Sequence, residues 1–293
     1  MCTQSIYKSP EGQARILELY DRLQGRLGVD LEDCVVHTRF GDTHVLASGP
    51  VHAQPLVITH GGNSINPQSL REILPILRAN RYRIYAPDTI GHPGKSAQTR
   101  LSAQDLSYGE WLNEVLNELG LDQALFIGGS FGAGILLRLA AYAPQRITKL
   151  GLFVPSGVVK VPLTSMAFKI GLPYLLHLLA PSRRRFFRAI QWMGSEIDGD
   201  IVELIEAVFQ HVRVEANMPR PATKMELAAF SAPTLVIAAE YDALFPGNRV
   251  VKRAREVISN LVDSECLKGE THYSSKRAML YINRRMLEFM QAR

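Results

Sequence analysis

Cysteine is scarce in this chain. Only Cys2, Cys34 and Cys266 occur among 293 residues, with no C-x-x-C pair and no metal-type spacing. That argues against a disulfide framework and against a metal site, and a reducing, cytoplasmic compartment is expected. Long apolar runs are missing as well. Met1 to Gln13 is polar and lacks the apolar core of a signal peptide. The most apolar stretch, Gly171 to Ala180, is too short to cross a bilayer, so no stable membrane insertion is expected. Repeats and low-complexity tracts are absent. The net charge is only +5, and the charged residues are interspersed over most of the length, so no nucleic acid partner is implied. What is present is a 46% share of hydrophobic residues, enough to bury a full core in one large α/β domain or two small ones.

The apolar pattern alternates between two periods. Ala14 to Leu27 is a helical stripe, part of an N-terminal extension over 1–30. Cys34 to Phe40 and Thr43 to Ala47 read as a hairpin around Gly41-Asp42. Strands at Leu56–Thr59, Arg83–Ala86, Gln123–Ile127 and Leu150–Val154 then alternate with helices at Gln68–Arg78, Tyr108–Leu119 and Gly132–Ala143. A strand at Thr234–Ala238, a helix at Asn248–Ile258, a strand at Ser264–Leu267 and a helix at Ser275–Gln291 complete the series. This alternation predicts a mostly parallel central sheet flanked by helices, built from residues 1–158 and 231–293.

Between the two parts the alternation stops. Residues 159–230 carry helical patterns and no convincing strand, which predicts a helical cap over the C-terminal edge of the sheet. Its first half, Lys160 to Ser195, has six basic residues and no acidic one; Glu196, Asp198, Asp200, Glu203 and Glu206 follow without a basic residue. The basic half with its leucines and phenylalanines could dock on a membrane surface. The preferred expectation is that the apolar residues pack on the domain below, while the arginines are solvated or pair with the acids.

The chemistry centres on Gly128-x-Ser130-x-Gly132 between a strand and a helix. A serine on so sharp a turn sits in strained backbone, and its neighbours two residues away leave no room for side chains. The turn projects the hydroxyl off the sheet, towards the free amides of the new helix. A nucleophilic serine needs a base, and the base needs an orienting carboxylate. Of eight histidines only His272 follows the candidate acids, just after the strand Ser264–Leu267. Thr234–Ala238 is followed by Glu240 and Asp242; Asp242 is the first choice and Glu240 the second. An oxyanion hole needs two amides aimed at the developing charge. Phe131 would supply one and Gly62 the other, with Gly61 as the substitute, and His60 would fix the loop. Gly91 to Ser96 ends like a Walker A loop but has Thr89 where that motif needs glycine.

These motifs together resemble the α/β-hydrolase superfamily over nearly the whole chain: His60-Gly61-Gly62, Asp88-x-x-Gly91-His92-x-Gly94-Lys95-Ser96, the Ser130 turn, Glu240-x-Asp242 and Gly269-x-x-His272. Arg39-Phe40-Gly41-x-Thr43-His44-Val45-x-Ala47-Ser48-Gly49-Pro50 is similar to bacterial carboxylesterases that cleave arylpropionate-type esters. The resemblance implies the α/β-hydrolase fold, with the cap inserted after the sixth strand. It implies a cofactor-independent, metal-free serine esterase with a small-molecule substrate and a Ser130, Asp242, His272 triad. Pro93 adds a residue to the usual Asp-x-x-Gly-His-Gly-x-Ser loop. Asn63 stands where the prolyl aminopeptidase branch has proline, although five cap acids could hold a substrate ammonium. Ser130 in place of aspartate argues against the dehalogenase and epoxide hydrolase branches. A ligand receptor on the same fold is the remaining alternative.

Overall fold

The computed structural model describes residues 5–180, 182–194 and 197–292; Cys2, Glu196 and the side chain of Met166 lie outside the described part. Among the described residues, eight strands form one sheet in the order β1-β2-β4-β3-β5-β6-β7-β8. They are β1 Glu32–Thr38, β2 Gly41–Ser48, β3 Pro55–Thr59, β4 Arg83–Pro87, β5 Ala124–Gly129, β6 Ile147–Phe153, β7 Thr234–Ala239 and β8 Leu261–Leu267. The β1–β2 hairpin pairs antiparallel to β4, and β3 to β8 are all parallel. The expected mostly parallel sheet is therefore present.

Side-chain alternation divides the core in two. On β5, Ala124 and Phe126 face one apolar cluster, and Leu125 and Ile127 face the other. The first cluster is covered by α4 Ser107–Glu118, α5 Ser130–Tyr142 and α9 Gly247–Val257. The second is covered by α1 Pro10–Gly25, α2 Asn66–Glu72, α3 Leu74–Arg78 and α10 Lys276–Gln291. Strands buried on both faces read as continuous apolar runs, as β3, β5 and β7 do.

Two helices depart from expectation. α1 begins at Pro10, earlier than its apolar stripe, because the Ser9 hydroxyl accepts from the Gly12 amide and Pro10 fits the first turn. The helix expected over Gln68–Arg78 is broken at Ile73, whose φ and ψ are −107° and 22°. Pro75 is the cause, since it lacks an N–H and its ring collides with the carbonyl four residues back. The break frees the Glu72 carbonyl, which accepts from Asn283 Nδ2 of α10 at 2.8 Å.

Between β6 and β7 lie a π-helical stretch Ser165–Gly171, α6 Leu172–Leu179, α7 Arg183–Ile190 and α8 Gly199–His211. α8 packs on α1, with Leu204, Ala207 and Val208 in the second cluster. Three acids at its start are matched by core arginines: Glu203 by Arg15 and Arg22, and Asp198 and Asp200 by Arg71. The residues just before β7 turn back into the core, where Ala222, Leu227 and Phe230 join the first cluster. The expectation that the cap's apolar residues pack inward fails for most of them. Phe186 is buried, but Leu175, Leu176, Leu178, Leu179 and Phe187 are exposed. Arg183, Arg184, Arg185 and Arg188 are solvated, the first of the two alternatives expected for them, while Asp198, Asp200 and Glu203 pair with Arg15, Arg22, Arg26 and Arg71.

Candidate active site

Ser130 opens α5 at a φ of 51°, the left-handed region that a serine rarely occupies. The crowding expected of this turn is present. A Cβ on Gly128 would come within 2.7 Å of Thr59 Oγ1, and one on Gly132 within 2.7 Å of the His60 carbonyl oxygen. A support not read from the sequence comes from Ser156. Its amide and hydroxyl both donate to the Ser130 carbonyl, at 3.1 and 2.9 Å, and so stabilise the strained turn. The preceding Val154 is itself strained, at a φ of 40°.

Ser130, Asp242 and His272 come from three loops at the C-terminal ends of β5, β7 and β8, and the fold brings them together. His272 Nε2 is 3.0 Å from Ser130 Oγ, and His272 Nδ1 is 2.8 Å from Asp242 Oδ2. The other oxygen of Asp242 accepts from the amides of Leu244 and Phe245 at 2.8 and 3.0 Å. These two bonds aim the carboxylate. Glu240 is directed elsewhere, accepting from the Gly269 amide at 2.9 Å. Burial works against a charged imidazole at His272, but the Asp242 carboxylate outweighs it with help from Glu72, and the His272 pKa is raised above its usual value.

The loop after β3 is held by two histidines that burial keeps below their usual pKa, His92 more strongly than His60. His60 Nε2 accepts from the Thr89 amide at 2.8 Å, and Nδ1 donates to the Gly61 carbonyl. His92 Nδ1 accepts from the Asn63 amide at 3.1 Å, and the His92 ring packs on Phe131. Asn63 is thereby occupied, whereas the amides of Gly62 and Phe131 donate to no protein acceptor among the described residues. Gly62 lies against Phe131, where a Cβ would meet the Phe131 Cβ at 3.0 Å. Gly61 also lines the cavity, with its carbonyl tied to His60.

Above the serine lies a cavity of about 1160 Å³. Its walls include Ile170, Tyr174, Trp192, Ile201, Phe209 and Leu244. Met193 of the cap lines it as well. Phe186 joins the cap's own core with Ile190, Ile201 and Ile205, and Phe168, Leu172, Leu175 and Phe187 point outward. Helical spacing groups side chains on a face but does not say which face meets the pocket.

Glu72 is the functional candidate that sequence reasoning missed. It lines this cavity, and burial pushes its carboxyl up to about 7 against the opposing pull of Gln68, His272 and Arg71. Its neighbour Gln68 Nε2 is 3.3 Å away, and Gln68 Oε1 has no partner. The only advance signal was Pro75, which breaks the helix just after Glu72. An open depression of about 680 Å³ at the opposite sheet edge, lined by Gln54, Tyr82, Lys149 and Met290, holds no nucleophile and base pair. Among the described residues no cluster of His, Cys, Asp or Glu could hold a metal ion.

A sheet of this order, with a helical insertion after β6 and a strained serine after β5, is the α/β-hydrolase fold. The family model for the alpha/beta hydrolase fold matches residues 54–190. In sequence the chain is carboxylesterase-like over nearly its whole length. It is 26% identical to the uncharacterized carboxylesterase nap of Bacillus subtilis, over 98% of this chain and 96% of that protein. It is 25% identical to the carboxylesterase YbfK of the same organism, over 97% and 96%. The crystal structure of naproxen esterase from Bacillus subtilis superposes with a TM-score of 0.82 at 24% identity, covering 97% of this chain and all of that one.

Proposed function

We propose that the protein is a serine hydrolase that cleaves carboxylic esters of small apolar or aryl substrates through an acyl-enzyme. The observation that carries this reading is the continuous hydrogen-bonded line from Ser130 Oγ through His272 to Asp242, on the floor of a largely apolar cavity. Ser130 attacks the ester carbonyl while His272 Nε2 takes its proton. Asp242 keeps the Nδ1–H tautomer in place and stabilises the imidazolium. The amides of Phe131 and Gly62 stabilise the tetrahedral oxyanion, and the alcohol leaves with the proton from His272. Water, activated by the same histidine, then releases the acid. Neither a cofactor nor a metal has a part in this scheme.

An aminopeptidase reading would need free cap carboxylates for the substrate ammonium. Asp198, Asp200 and Glu203 are instead paired with Arg71, Arg26, Arg15 and Arg22, and Glu206 is exposed, which favours the neutral ester. Glu196 lies outside the described residues.

The test is a fluorophosphonate probe with the adduct mapped by mass spectrometry, alongside turnover of short p-nitrophenyl esters. Labelling of Ser130 and steady multiple turnover are expected, with kcat reduced on the order of 10⁴ or more in Ser130→Ala. A neutral aryl ester should exceed a proline arylamide in kcat/KM by at least roughly a hundredfold, about 2.7 kcal/mol of differential transition-state binding. A single burst without turnover would point to a receptor, and preference for the arylamide to a peptidase.

A further inference from the structure

The outer face of the segment 163–188 is apolar and cationic at once. Of the fifteen large hydrophobic side chains exposed among the described residues, eight lie between Leu163 and Phe187; the other seven are scattered over the rest of the chain. Leu163, Phe168 and Leu179 are 85%, 70% and 74% exposed. Single exposed leucines need no explanation, but a contiguous group of this size does. Interleaved with it are Lys169, Arg183, Arg184, Arg185 and Arg188, all exposed. From 160 to 195 the sequence has no Asp or Glu. Of the acids that follow, Asp198, Asp200 and Glu203 are held by Arg15, Arg22, Arg26 and Arg71, and Glu206 forms no ion pair with these cations among the described residues. The positive charge on this face is therefore left uncompensated among the described residues.

The same segment turns Ile170 and Tyr174 inward to line the cavity. Its outer face is the far side of the pocket wall. No helix among the described residues is long and apolar enough to cross a membrane. An amphipathic surface of this kind lies in the plane of an interface, with its apolar side chains at the headgroup–acyl boundary and its arginines on phosphates.

We infer that the outer face of α6 and α7, with the π-helical stretch before them, docks the protein on an anionic phospholipid bilayer. A second copy of this chain is the poorer occupant. A two-fold interface would set the same patch against itself and bring the arginines of both copies together without a counter-charge. The docking does not depend on the hydrolytic reading and is measured without it.

The test is flotation of the full chain with phosphatidylcholine vesicles, with and without about one third phosphatidylglycerol, at low and high salt. Binding to the anionic vesicles is expected, weakened at least tenfold by either omission of the anionic lipid or high salt. Arg183→Gln with Arg184→Gln should weaken the partition coefficient about thirtyfold, roughly fivefold for each charge. Leu175→Ser with Leu179→Ser should remove binding. Both variants should keep the wild-type melting temperature and probe labelling, since all four side chains are exposed and remote from Ser130. Absence of binding to anionic vesicles, or equal binding by the arginine variant, would overturn the inference. So would a concentration-dependent dimer, seen by light scattering, that the leucine substitutions dissolve and lipid does not displace.

Discussion

Asp242→Asn is the sharpest probe of the proposed mechanism, because the surroundings of Asp242 dictate how the amide must sit. One oxygen of the native carboxylate accepts from the Leu244 and Phe245 amides, and the other faces His272 Nδ1. In the variant the single carbonyl oxygen must stay with the two backbone donors. Turning it round would leave both unsatisfied and aim N–H at N–H, at a cost of at least about 2 kcal/mol, which is about thirty to one in population. The new NH₂ group therefore points at His272 and donates to Nδ1. That moves the ring proton to Nε2, which can no longer accept from Ser130. The fold is retained while the base is lost. The expected fall in kcat is on the order of 10⁴, about 5.5 kcal/mol of barrier. Glu240→Gln, which disturbs only the contact with the Gly269 amide, should stay within roughly fivefold of wild type. Steady-state turnover of a p-nitrophenyl ester, with active sites counted by probe labelling, measures both. A fall of less than tenfold in Asp242→Asn, or a larger one in Glu240→Gln, would refute the assignment.

Glu72→Gln removes a negative charge that raises the His272 pKa, so the acid limb of kcat/KM should move to lower pH. In wild type, activity is lost as pH falls through a value above the ordinary histidine pKa of about 6.5; a limb that stays put or moves up would contradict the coupling. The Glu72 pKa is raised on folding from 4.5 to about 7, so wild type loses stability as pH climbs through that window. The Gln variant should therefore melt higher than wild type at pH above about 7, and about equally at pH below about 4. Glu226→Gln tests the return segment before β7, where Glu226 pairs with Arg138, a fully buried guanidinium, at 3.1 Å. Burial disfavours the Glu226 carboxylate, but Arg220, Thr223 and Arg138 outweigh it and bring its pKa down to about 2. Stability from this cluster is present above the unfolded value near 4.5 and fades as pH falls towards 2. The substitution should cost about 2–3 kcal/mol in urea unfolding at neutral pH, and little in strong acid.

The sequence by itself determined whatever depends on near neighbours. Strand and helix periods, the Gly41-Asp42 hairpin and the crowded turn around Ser130 are set within a few residues, and the chain order of serine, acid and histidine is a property of the string. Tertiary structure decided the rest. Glu240 and Asp242 both follow β7, and only the turn through Leu244 and Phe245 aims one of them at a histidine 30 residues away. The tie between Glu72 and His272 joins elements 200 residues apart, through a helix break whose consequence lies in another part of the chain. The string shows that α6 is rich in leucine and could not say whether those side chains met protein or solvent. That depends on which neighbour covers them, and α8 divides its apolar side chains between the second core cluster and α7, leaving α6 uncovered on its outer side.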